Sequence, residues 1–498
     1  MSDSEIRQIR LEKLNRMREL GHDPFAQEKF EFALSAQELH AKFESMEGQT
    51  VRFAGRIVAL REMGKASFVS LSDGDGRIQV YLRKDDLGED VWAVAKLLDL
   101  GDHLGVEGEL FRTKTGEQSI HARSIVPLSK SLQSLPLGKE KDGESWGTLS
   151  DVEQRYRHRH LDLIANPEAR QMLLNRSRIV SAVRRYFDNA GYLEVETPLL
   201  QLEAGGAAAR PFLTHYNAYE IDVKLRISLE LYLKRLICGD VPKVYEIGRV
   251  FRNEGVSQRH NPEFTLLEFY EAYVNLEDMM VRVEECFKFV AETVFGNTEV
   301  HIGHEDLVID FGKPWARVDL LQQIEHYSGV QAHELNDLAS ARAALERVGI
   351  DAKKEANVGG IIEKLLERFV EPHLIQPTFV VGYPIETSPL AKKDPNRPGF
   401  TRRFEGYVRG REVCNAFSEI NDPIDQRERF DNQLTQAAQG NDEAHPMDEE
   451  FIYALECGMP PTGGCGIGLD RMAMMLLGSD HLREILLFPM MKPEAGGH

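Results

Sequence analysis

The sequence predicts an α+β chain of more than one domain, with a small all-β barrel near the N-terminus and a larger region mixing strands with helices. Three observations predict it. The 498 residues exceed what one hydrophobic core ordinarily organises. Residues 51–128 break into short, alternating apolar segments separated by Gly- and Asp-rich turns. From residue 167 onward, helical periodicity alternates with further strands. The composition, 42% hydrophobic and 28% charged, is that of a globular chain. Apolar runs such as 485–488 are far too short to span a bilayer, and residues 1–10 lack the apolar centre of a signal peptide. Five cysteines without metal-ligand spacing point to a reducing cytosol. The net charge of −20 argues against a polyanionic partner, but its distribution qualifies that. Residues 50–130 carry twelve basic and twelve acidic groups, so the barrel region is where a polyanion would touch.

Taken in order, residues 1–48 form a helical segment. Ile6, Ile9, Leu14, Met17 and Leu20 recur at helical spacing, Ser2 with Glu5 forms a capping box, and Gly21 marks the stop. The other face is charged and suits either packing or RNA contact. Residues 49–130 hold about five strands, the number of an OB-type barrel. Their clearest hairpin runs through Phe68–Ser72, turns at 73–76 and returns through Arg77–Leu82. Alternation puts Val69, Leu71, Ile78, Val80 and Leu82 on the buried face and leaves Phe68, Arg77, Gln79 and Tyr81 on the other. That second face is either a base-stacking surface for single-stranded nucleic acid or an ordinary solvated sheet face. Residues 131–165 lack a clear period and read as a linker or hinge. Residues 166–498 form the large domain, opening with a helix over 167–189 whose stripe is Leu173, Ile179, Val183 and Phe187. Residues 314–375 read as a mostly helical insertion.

Three stretches of the large domain carry chemistry. Residues 244–270 read as strand, polar turn (255–261) and strand. Arg252 and Glu254 share one side of the first strand, suited to a phosphate and an amine; Phe264 suits a purine; Glu268 and Tyr270 form an acidic, hydroxyl-lined wall. In 403–419, Glu405 and Glu412 are a pair of carboxylates fit for Mg²⁺ with phosphate oxygens. Asn415, Phe417 and Glu419 alternate on one face, matching a ligand with a carboxylate, an alkyl chain and a cationic end; taken alone, the stretch reads equally well as a solvated acidic strand. In 463–477, alternate glycines permit close approach and Arg471 lies at a helix start, an anion site.

With these motifs in order, the chain resembles the bacterial-type class II lysyl-tRNA synthetases over nearly its whole length. Motif 1 of that class resembles 191–200 with Glu196-Thr-Pro198, motif 2 is Phe251-Arg-Asn-Glu254 with its loop through His260 and Asn261, and motif 3 is Gly466-Ile-Gly-Leu-Asp-Arg471. The resemblance implies an antiparallel-sheet catalytic domain flanked by helices behind an OB-type anticodon-binding barrel, and a homodimer paired through motif 1. It implies a cytoplasmic ligase that joins L-lysine to tRNA(Lys) using ATP and Mg²⁺, with no membrane partner.

Residue by residue, the resemblance assigns catalytic roles to Arg252 and Arg471. ATP would lie among Arg252, Glu254, His260, Asn261, Phe264, Glu405, Glu412, Gly468 and Arg471, with Glu405 and Glu412 holding the metal. Lysine would lie among Gly206, Glu230, Glu268, Tyr270, Asn415, Phe417 and Glu419, under a loop formed by 205–211. Phe68 and Gln79 would read the anticodon. An end wall of carboxylates and a phenol selects a cationic side chain over aspartate or asparagine. Cys414, Ala416 and Arg409 stand where glycine is expected; Cβ atoms at the first two would narrow the pocket beside Asn415 or shift the strand slightly.

Overall fold

A computed structural model describes residues 3–141, 144–255, 257, 260–302, 306–353, 355, 357–438 and 445–494. Ser2, the proposed cap of the first helix, and residues 256, 258 and 259 of the motif 2 turn lie outside them. The chain divides into two compact units, Met1–Arg170 and Gln171–His498.

In the first unit the sequence hairpin forms as its alternation requires. Strands Ala66–Ser72 and Arg77–Arg83 pair with Phe68 opposite Tyr81 and Ser70 opposite Gln79. The five expected side chains on the inner face are at most 1% exposed. With Thr50–Met63, His103–Arg112 and Gln118–Ser129 these strands close into a five-stranded barrel. A barrel has no free edge to aggregate, and its interior is filled by Phe53, Ile57, Val106, Leu110 and Ile120.

The first helix spans Asp3–Glu19 and buries Leu14 and Met17 as the spacing predicts. Ile9, expected in the same stripe, is exposed and Arg10 is buried instead. The Arg10 guanidinium donates to the carbonyls of Ser131 (2.9 Å) and Gln133 (2.6 Å), which satisfies a charge that periodicity alone would have placed in water. Residues 131–165, expected to be a linker, are more ordered than that reading. They contain a hairpin of Leu137–Lys141 with Glu144–Thr148 and helices Val152–Arg157 and Arg159–Ala165. Polar pairing holds this segment together. Buried Asp162 accepts from Arg155 (2.7 Å), Arg159 (2.6 Å) and Asn166 (2.6 Å), so no apolar period announces it.

The second unit is built on an eight-stranded, mostly antiparallel sheet. Across it lie Ala316–Asp319, Thr378–Val381, Arg403–Val408, Arg411–Ser418, Thr462–Gly468, Glu263–Ala272, Lys243–Phe251 and Leu193–Glu194. Helix Pro167–Asn189 packs on it through Ile179, Val183 and Phe187, and ends before Gly191, whose φ of +78° a Cβ would resist. Helices Leu276–Phe295 and Leu469–Leu477 cover the same face. Residues 314–375 are mainly helical, as expected, but Ala316–Asp319 is an edge strand of the main sheet rather than part of a separate insertion.

Candidate active site

The central strands place their polar side chains on the face left free by the helices. Along Glu263–Ala272 and Arg411–Ser418, alternation turns Glu268, Tyr270, Asn415 and Phe417 to one side, while Phe269, Cys414 and Ala416 enter the core. The expectation that Cys414 and Ala416 narrow the pocket is therefore corrected. Both side chains point away from it, and Cys414 packs beneath the sheet among the residues around Gly406. Arg409 adopts φ +52° in the tight turn before Gly410. Its Nη2 donates to Asp480 (2.7 Å), an ion pair that offsets part of the left-handed strain.

One cavity of about 670 Å³ opens on this face. It is lined by every expected ATP residue (Arg252, Glu254, His260, Asn261, Phe264, Glu405, Glu412, Gly468 and Arg471) and by six of the expected lysine residues (Gly206, Glu230, Glu268, Tyr270, Asn415 and Phe417). The seventh, Glu419, is 1% exposed and stands behind the wall. Gly464 makes room for it: a Cβ there would collide with Glu419 Oε1 and the Tyr270 ring. The alternate glycines thus admit neighbouring side chains to the strand as well as a ligand.

At one end of the cavity the groups are acidic. Glu268 Oε1 accepts from Ser228 Oγ (2.8 Å) and the Leu229 amide (3.0 Å), and Tyr270 donates to Oε2 (3.0 Å). Burial, with Glu230 close by, nevertheless pushes the Glu268 carboxyl up to about 7. Burial also raises Glu230 and Glu419, with Lys234 opposing the rise in both. Gly206, at φ +87°, bends the 205–211 segment against Ser228 and Glu230.

At the other end arginines stand among further carboxylates. The Arg252 guanidinium lies 5.1 Å from the centre of the Phe264 ring. Burial lowers its pKa, opposed by Glu254 and Glu412. Arg471 sits in the first turn of Leu469–Leu477, where its Nη1 donates to the Glu412 carbonyl (2.9 Å) and carboxylate (3.0 Å). Its neighbour Asp470 fixes that turn, accepting from Arg176 (2.5 Å) and the Thr265 amide (2.9 Å). Glu405 accepts from Arg403 (2.5 Å), Tyr383 (2.8 Å) and Tyr407 (2.5 Å).

Sequence reasoning missed Lys234, Arg403 and Asp470. Lys234 had a signal, since it lies four residues after Glu230 on a helix. Arg403 and Asp470 had none beyond their place inside the motifs.

Residues 151–492 match the family of class II tRNA synthetases (D, K and N). The chain belongs to that family. Residues 51–128 match the OB-fold nucleic acid binding domain. The chain is 50% identical over 491 residues to a lysine–tRNA ligase of a Thermoanaerobacter species, covering 99% of this chain and 97% of that one. It is 48% identical over 493 residues to the Moorella thermoacetica lysine–tRNA ligase, with 99% of each chain covered. The Bacillus subtilis lysine–tRNA ligase is 47% identical over 492 residues, with 97% of each covered. On the barrel, Phe68 and Tyr81 lie 4.9 Å apart and Tyr81 lies 5.3 Å from His121. Gln79 is half-buried beside them and accepts from Ser119 Oγ (3.0 Å). Among the described residues no helix is long and apolar enough to cross a membrane.

Proposed function

We infer that the chain is a lysine–tRNA ligase. It joins L-lysine to ATP, giving lysyl-adenylate and pyrophosphate, and then passes the lysyl group to the terminal ribose of tRNA(Lys), releasing AMP. One observation carries the reading. A single cavity has two carboxylates and a phenol (Glu230, Glu268, Tyr270) at one end, with Glu419 buried behind them, and two arginines, Arg252 and Arg471, at the other. Carboxylates at the side-chain end suit an ammonium and repel aspartate; the arginines suit a triphosphate and a substrate carboxylate.

In the first step a lysine carboxylate oxygen attacks the α-phosphorus in line, and the bond to the β-phosphate oxygen breaks. The nucleophile is already an anion, so no side chain must act as base. Rate enhancement then rests on positioning and charge neutralisation. Arg252 holds the α-phosphate and the lysine carboxylate, and Arg471, with the free N–H groups of its helix start, holds the γ-phosphate. Phe264, which carries the Arg252 guanidinium near its ring, stacks adenine, while Glu254, His260 and Asn261 cradle the nucleotide. Asn415 steadies the carboxylate and Phe417 covers the alkyl chain. In the second step the ribose hydroxyl attacks the lysyl carbonyl, and a phosphate oxygen of the adenylate takes its proton.

Glu405 and Glu412 are the residues that would hold Mg²⁺. Both line the cavity beside the arginines, and two carboxylates with phosphate oxygens make a donor set this ion accepts. The metal would supply charge neutralisation on the phosphates. In the barrel, Phe68 and Gln79 contact anticodon bases by stacking and edge hydrogen bonds. The exposed apolar side chains Leu193, Leu199, Leu200, Leu202, Leu213 and Tyr219, on and after motif 1, support pairing with a second copy. Five free thiols support a reducing, cytosolic setting.

The test is lysine-dependent exchange of pyrophosphate into ATP, wild type beside Glu419→Gln. Robust exchange that falls at least tenfold in the variant is expected. Equal exchange by both would remove Glu419 from the lysine site.

A further inference from the structure

Lys234 is fully buried on helix Glu230–Cys238, inside a wall otherwise made of acids. Its Nζ donates to Glu230 Oε1 at 2.5 Å and forms an ion pair with Glu419 Oε2. The rings of Phe417 and Phe451 lie 5.5 and 5.6 Å from it. Glu230 lies on its own helix, one turn back, and Glu419 follows the strand Arg411–Ser418, so this one ammonium ties two elements together.

The charges in this pocket can be counted. Glu230, Glu268 and Glu419, each at most 6% exposed, supply three negative charges when ionised, and Lys234 supplies one positive. The other cations that act on these carboxylates are Arg403, already paired with Glu405, and Arg252, which faces Glu254 and Glu412 more strongly than Glu268. Two negative charges remain unmatched. Buried charge is tolerated only when compensated, so the empty pocket keeps protons and the filled one needs two cations. On the lysine reading above, the substrate brings two ammonium groups, α and ε.

We propose that Lys234 is a positioning residue that sets the pocket's charge deficit at two, matching it to a diammonium substrate, while holding Glu230 and Glu419 together across two elements. Besides Arg252 and the buried thiol of Cys465, which both face Glu268, the titratable groups facing the cluster are Tyr270 from the central strand, His445, and Cys238 from its own helix. Burial and the neighbouring Lys234 hold His445 down at about 4, while burial holds Tyr270 and Cys238 up, so all three stay neutral near pH 7. The three carboxylates are therefore the groups that exchange protons with the substrate.

The proposal is tested on the intact enzyme by lysine-dependent exchange across pH 6.5–9. Lys234→Met leaves Glu230 and Glu419 facing each other, so one of them keeps a proton. KM for lysine should rise at least thirtyfold at neutral pH and recover as pH rises, with KM for ATP within about threefold of wild type. Lys234→Arg should keep the wild-type pH profile whatever its KM. Lys234→Met combined with Glu419→Gln restores a deficit of two and should bind lysine at least fivefold better than Glu419→Gln alone.

A measurement on unmodified enzyme covers the case in which the variants fail to fold. Lysine binding, titrated calorimetrically in buffers of different ionisation enthalpy, should release about one proton more than 6-hydroxynorleucine, which lacks the ε-ammonium. Equal proton release by the two ligands would overturn the proposal, as would Lys234 variants with unchanged lysine KM and pH profile, or additive effects in the double variant. Absence of lysine-dependent exchange in the wild type would instead overturn the lysine reading itself.

Discussion

Glu268 should make the empty enzyme less stable as pH rises, and Glu268→Gln should abolish much of that dependence. The carboxyl titrates near 7 in the folded chain because burial and Glu230 outweigh three hydrogen-bond donors, whereas its ordinary value is 4.5. The folded state therefore binds the proton more tightly than the unfolded state does. Stability from this group is fully present below pH 4.5, is lost progressively as pH rises, and is gone above 7. A displacement of roughly 2.5 pH units at 1.36 kcal/mol each corresponds to about 3 kcal/mol. At about 2 °C per kcal/mol, a catalytic unit of this size would show roughly 6 °C of differential melting. The assay is thermal melting of wild type and Glu268→Gln, without lysine, between pH 5 and 8. The wild type should lose stability relative to the variant as pH rises, and saturating lysine should restore it at pH 8. A difference between the two proteins that is flat with pH, or that grows in the wild type's favour, would refute the argument that Glu268 is held protonated by burial.

Other outcomes follow from the same geometry. Arg471→Ala removes a charge aimed at the phosphates and should lower kcat for exchange by about a hundredfold or more, with KM for lysine little changed. Arg226→Met breaks a buried ion pair with Glu246 (2.6 Å) that also anchors Thr197, and should cost about 3–5 kcal/mol in a melting experiment while the barrel's signal is unaffected. Phe68→Ala should weaken binding of an anticodon stem-loop by roughly 1–3 kcal/mol in a filter assay and leave pyrophosphate exchange intact.

The parts legible in the sequence were those governed by short-range repetition. Period-two alternation gave the barrel hairpin and the wall of Glu268, Tyr270, Asn415 and Phe417, and period 3.6 gave the helix that ends before Gly191. What escaped depended on partners distant in sequence. Arg10 looked like a solvent-facing charge until the carbonyls of Ser131 and Gln133 met it, and residues 131–165 looked like a linker because polar pairs, not apolar ones, hold their helices. Lys234 was half visible: its helical partner Glu230 lies four residues away, but its second partner, Glu419, comes from another strand. The worry over Cys414 and Ala416 failed for a simpler reason. Alternation that puts Asn415 in the cavity must put its neighbours in the core.

The account stands on the claim that this cavity activates lysine for transfer to RNA. The most direct measurement is attachment of each of the twenty radiolabelled amino acids to unfractionated tRNA by the purified enzyme with ATP and Mg²⁺. Label from lysine alone, in an alkali-labile ester at the 3′ end, is the predicted result. Label from aspartate or asparagine, or none from any amino acid, would contradict it.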